Sequence, residues 1–176
     1  PGTLIQGLTG HPFGSPDMIG GGEYLSFWED YEKKFEPELF VRYCEVAALT
    51  PVMQFSAAPW RLLGEEDYQK VLKAMEVRKK YLPQILEAVE CAKKTGEPVV
   101  RHMEYVFPGQ GMERLMDQFM IGDTLLAAPV DKKGVVQRKV RLPKGKWRLG
   151  ECVLESKGED FVLEQKDGPL VLERCE

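Results

Sequence analysis

The 176-residue sequence holds only two histidines, His11 and His102, and four cysteines, Cys44, Cys91, Cys152 and Cys175, none in a CxxC pair. Without paired cysteines or histidines at ligand spacing, neither a metal site nor a disulfide framework is expected. Cys44 and Cys91 fall in helical patterns, where a cysteine usually acts as a small buried hydrophobe. Reduced cysteines of this kind favour a cytoplasmic setting. Basic clusters are missing too. The formal net charge is −4 with no Lys/Arg-rich block, so no nucleic-acid partner is expected. No apolar run approaches the roughly 18 residues that span a bilayer, and no signal peptide is visible. The chain opens Pro-Gly-Thr instead of with Met, so its native N-terminus is expected to lie upstream.

What remains is an ordinary globular composition, 43% hydrophobic and 30% charged, long enough for one domain or parts of two. The pattern divides near residue 96. "EPELFVRYCEVAAL" (36–49) carries Pro37 near its start, where a missing N–H costs nothing. Leu39, Tyr43, Val46 and Ala47 then keep helical spacing. "TPVMQF" (50–55) is a short apolar run that fits a buried strand of a parallel sheet. The region 65–96 is the longest predicted helix, with an apolar stripe of Tyr68, Val71, Leu72, Met75, Leu82, Ile85, Leu86 and Val89. Gly96 suits its C-terminal cap, and Pro83 should kink it or divide it in two. From Glu97 onward short β runs alternate with turn residues: 98–107, 117–130, 135–143, 146–149 and three more to the end. The element order is strand–helix–strand–helix, then all-β.

Two stretches invite a chemical reading. "HPFGSPDMIGGG" (11–22) sets Asp17 before three glycines, but the GxGxxG and GxxxxGK[ST] phosphate-loop spacings are absent. Asp17 fits the lip of a pocket at a strand end, with glycines turning the backbone away. It fits an Asx-turn equally well. "MQFSAAPW" (53–60) follows a buried-strand pattern, so Gln54, Ser56 and Trp60 could reach the same rim. An indole beside short polar groups suits a sugar, whose C–H face stacks while its hydroxyls hydrogen-bond. The carboxylates Glu104, Glu113, Asp117 and Asp123 have no spacing that makes two of them an acid/base pair.

At these residues the sequence resembles glycoside hydrolase family 31. The matching stretches, in order, are "SPDMIGG", "ELFVRYCEVAALTPVMQFS", "KKTGEPVVRHMEY", "DQFMIGDTLLAAPV" and "VRLPKGKW". "TPVMQFSAAPWR" is similar to an animal branch of the family associated with α-galactosidase activity. The resemblance implies a fold of α/β plus all-β type: the last two strand–helix units of a (β/α)8 TIM barrel, followed by a C-terminal antiparallel β-sandwich domain. Residues 1–96 would be the end of the barrel, with 4–22 on strand seven and its loop, and 50–60 on strand eight and its loop. Residues 97–176 would be the β-sandwich.

The family hydrolyses glycosides with retention, through two aspartates roughly 5–5.5 Å apart. On the family pattern both lie upstream of Pro1, so this chain is expected to hold no catalytic residue and to be inactive alone. Its expected contribution is substrate binding by Asp17, with Ser56, Trp60 and Gln54 beside it. Ser56 stands where most members have a substrate-contacting His, which puts ordinary α-glucosidase specificity in doubt. The implied partners are a carbohydrate substrate and the upstream part of the same barrel. An open barrel edge would favour self-association. No cofactor or metal is implied. The alternative is a non-catalytic carbohydrate-binding or structural β-module.

Overall fold

A computed structural model describes residues 2–21, 35–165 and 168–175. Helix α1 (Gly2–Leu8) is followed by an irregular stretch, then by α2 (Pro37–Ala47), the single turn α3 (Pro59–Leu62) and α4 (Glu65–Thr95). The β part comprises β1 (Val100–Arg101), the turn α5 (Met103–Val106), β2 (Phe119–Ile121), β3 (Leu125–Ala127), β4 (Gln137–Leu142), β5 (Gly145–Leu149), β6 (Cys152–Ser156), β7 (Glu159–Glu164) and β8 (Val171–Cys175).

Helix α4 shows why this sequence is helical. Glu65, Glu66 and Asp67 fill its first turn and Lys93 and Lys94 its last, complementing the two ends of the helix dipole. Gly96, at φ +79°, donates its N–H to the Ala92 carbonyl at 2.9 Å and stops the helix. Pro83 lies inside the helix without dividing it in two, so that alternative of the sequence expectation is set aside. Tyr81 and Ile85, on either side of the proline, are buried against the sheet, and that packing offsets the one hydrogen bond the ring removes.

The antiparallel part forms a six-stranded sheet in the order β1-β2-β3-β8-β5-β6 and a two-stranded ribbon, β4-β7. Alternation along the strands separates two cores. Phe119 and Ile121 of β2 face α4 with Tyr81, Ile85, Ala88 and Ala92. Met120 between them faces the other way, toward Val140 and Leu142 of the ribbon, with Leu126, Trp147 and Leu172. The sheet is thus covered by a helix on one face and a β ribbon on the other.

Three expectations are corrected. Residues 2–8 are helical, where a strand leading into a loop is expected within 4–22; the Thr9 hydroxyl donates to the Ile5 carbonyl and Gly10 turns at φ +87°. The run 50–55 is not a buried strand: Val52 is 41% and Phe55 36% exposed. A parallel strand needs neighbours to take its N–H and C=O groups, and among the described residues these two segments share a single parallel bridge, Ile19–Phe55. The described residues therefore form no barrel. Finally, 98–107 is not one strand. His102 stops it after Arg101, its Nδ1 accepting the Glu104 N–H at 3.2 Å to cap α5.

Candidate functional site

The bridge between Ile19 and Phe55 organises the candidate rim. The Ile19 N–H donates to the Gln54 carbonyl at 2.9 Å, and the Ser56 N–H returns to the Ile19 carbonyl at 2.9 Å. The Ser56 hydroxyl donates to that same carbonyl at 3.1 Å, so its remaining capacity toward a ligand is as an acceptor. Ile19 is fully buried with Phe40, Val41 and Val71, which fastens the bridge to α2 and α4. Gly20 then crosses the Phe40 ring: a Cβ there would lie 2.9 Å from Phe40 Cε2, and φ is +77°. Only glycine meets both demands.

Asp17 is exposed just before this bridge. Its Oδ1 accepts the Met18 N–H at 2.7 Å, leaving Oδ2 open among the described residues. Its carbonyl accepts the Tyr43 hydroxyl from α2 at 2.5 Å. Partial burial, and after it the Asp17 charge, push the Tyr43 phenol above its ordinary value, which keeps it a donor at neutral pH. The Asp17 Oδ1 bond goes to the next residue and not two residues on, as an Asx-turn requires.

Trp60 is 67% exposed on α3. It shares a shallow depression of about 360 Å³ with Phe55, Ser56, Tyr68, Leu72 and Met75. The structure therefore brings Ser56 and Trp60 to one depression and leaves Asp17 and Gln54 outside its wall. Gln54 holds the bridge through its main chain, and its side chain is exposed.

Asp123, Asp117 and Glu104 hold the scaffold. Asp123 pairs with buried Arg101 at 2.6 Å and Asp117 with Arg138 at 2.8 Å. Glu104 accepts the Gly109 and Met112 N–H groups. Among the described residues no group of three or more His, Cys, Asp or Glu could hold a metal ion.

Two residues that hold the rim segments by hydrogen bonds to their carbonyls, Tyr43 and Arg78, escaped the sequence reading. Tyr43 was legible only as part of an apolar stripe. Arg78 continues the α4 stripe between Met75 and Leu82, a cation at an inward position, and that spacing was the available signal.

Residues 96–160 match the glycosyl hydrolase family 31 C-terminal domain. The chain is also 41% identical over 156 residues to the myogenesis-regulating glycosidase of Mus musculus, covering 84% of this chain and 21% of that protein. The chain belongs to glycoside hydrolase family 31. An α-glucosidase of Saccharolobus solfataricus is 35% identical over 153 residues, covering 82% of this chain and 21% of that enzyme. A family 31 sulfoquinovosidase from E. rectale, solved with an aza-sugar inhibitor, superposes with a TM-score of 0.81 at 20% identity. That match covers 98% of this chain and 26% of the enzyme, and it establishes the shared fold. The chain spans about a fifth of the length of these curated relatives. Within family 31, the antiparallel β part is its C-terminal domain.

Proposed function

We propose that the protein carrying this chain is a retaining α-glycosidase acting on terminal α-linked glucosyl or galactosyl residues. In this reading residues 1–96 close a (β/α)8 barrel whose strands the rest of the protein supplies, and the β part is a sandwich that buttresses it. The catalytic aspartate pair belongs to the rest of that barrel. This chain contributes the rim, with Asp17 accepting sugar hydroxyls through charge-assisted bonds, and Ser56 and Trp60 beside it.

The observation that carries the reading is the parallel bridge Ile19–Phe55. It joins the ends of two segments side by side, as neighbouring strands of a barrel do, and Asp17 stands two residues before the joint with Oδ2 unpaired among the described residues. The α-glucosidase among the relatives supports the reaction class. The test is Asp17→Asn in the full protein, assayed on aryl α-glucosides and α-galactosides. Loss of the charge should lower kcat/KM by about tenfold or more. An unchanged kcat/KM removes Asp17 from the pocket, and a wild-type protein without turnover refutes the glycosidase reading.

The exposed indole of Trp60 favours a second reading, a non-catalytic sugar-binding module. It requires that this chain alone bind glucose or galactose in a calorimetric titration.

A further inference from the structure

Arg78 projects from α4 toward the end of α2 and spends its guanidinium on main-chain carbonyls. One terminal nitrogen donates to Ala48 O at 3.0 Å and to Thr50 O at 2.7 Å; the other donates to Pro51 O at 3.1 Å. It has no carboxylate partner among the described residues. The last carbonyls of a helix lack intrahelical donors and carry the negative end of its dipole, so a cation there is well placed. Partial burial lowers the Arg78 pKa, but a guanidinium stays charged in proteins.

These carbonyls begin the segment that runs on to Gln54, Ser56 and Trp60. Its far end is held by the bridge to Ile19; its near end is held by Arg78. Helix α4 is itself locked to the sheet through Tyr81 and Ile85. A continuous path thus runs from the β domain through α4 and Arg78 to the rim. We propose that Arg78 is a positioning residue for sugar binding, fixing the 50–56 segment so that Ser56 and Trp60 meet the substrate in one geometry. This rests on the glycosidase reading above.

The test compares Arg78→Gln and Arg78→Lys with the wild type in the full protein. Arg78→Gln should raise KM for an aryl α-glycoside by about tenfold while kcat changes by less than about twofold. Amide hydrogen exchange should accelerate within 50–56 and not in β2, β3 or β8. Arg78→Lys keeps the charge without the planar fork and should recover part of the KM; it also serves if the Gln variant fails to fold. An unshifted KM despite faster exchange overturns the proposal, as does a fall in activity that only follows the folded fraction. A wild-type protein without turnover overturns the glycosidase reading, and the positioning role with it; turnover with an unshifted KM overturns the positioning role alone.

Discussion

Gly20 passes so close to Phe40 that a Cβ at residue 20 would sit 2.9 Å from the ring. The contact follows directly from the Ile19–Phe55 bridge, because a chain pinned there has no freedom to lift away. This approach adds to the Ile19 packing and the Tyr43–Asp17 hydrogen bond that hold the rim to α2.

Gly20→Ala should therefore cost about 2 kcal/mol or more, combining a left-handed backbone with a clash against a ring edge. Gly10→Ala is the matched control. Gly10 has φ +87°, but no atom lies within 4 Å of where its Cβ would stand, so only the backbone cost of about 1 kcal/mol is expected. Urea denaturation of the two variants gives the comparison. Equal losses would mean that the Phe40 contact relaxes freely.

Trp60, largely exposed, and Trp147, fully buried, should separate stability from binding. Trp147 is fully buried, donates its indole N–H to Pro143 O at 2.9 Å and meets Phe107 edge-on at 5.9 Å. Trp147→Ala should cost about 3–5 kcal/mol. Trp60→Ala should change stability by no more than about 0.5 kcal/mol yet weaken sugar binding. Thermal melts paired with KM measurements test both. A large stability loss at Trp60 would assign it to the core.

Glu45 links α2 to the β domain and sets a pH dependence. It is buried, accepts Gln165 Nε2 at 2.7 Å and pairs with Arg42 at 3.1 Å. Burial raises its carboxyl above the ordinary 4.5, against the opposing pull of Gln165 and Arg42. The folded state therefore holds this proton more tightly than the unfolded chain. Its favourable contribution is present below the unfolded value and is lost as pH rises through the folded one. Glu45→Gln has no proton to lose. Its stability relative to wild type should rise as pH increases from about 4 to about 8, measured by denaturation at each pH. A difference that falls over that range would contradict the assignment.

Local chemistry made much of this fold legible. The charges and Gly96 of α4, and Pro37 at the start of α2, act within a turn or two, so both helices lie within a few residues of their expected bounds. The β runs after residue 130 carry their own turn glycines and each appears as a strand, whereas the run 117–130 is a hairpin of two strands, Phe119–Ile121 and Leu125–Ala127, turned at Gly122. Elsewhere a neighbour decides. Whether 50–55 is a buried strand depends on what lies on either side of it, and here it meets one bridge. Whether Pro83 breaks a helix depends on the packing of Tyr81 and Ile85.

The site divides in the same way. The sequence by itself determined the family, the helical and antiparallel regions, and the choice of Asp17, Ser56 and Trp60, because spacing and residue type are local properties. Tertiary structure alone decided that Ser56 and Trp60 share a depression while Asp17 stands apart, that the Tyr43 hydroxyl braces Asp17, and that Arg78 binds three carbonyls just past the end of another helix. Those relations join segments distant along the chain, and only packing sets the distances over which a hydrogen bond can form.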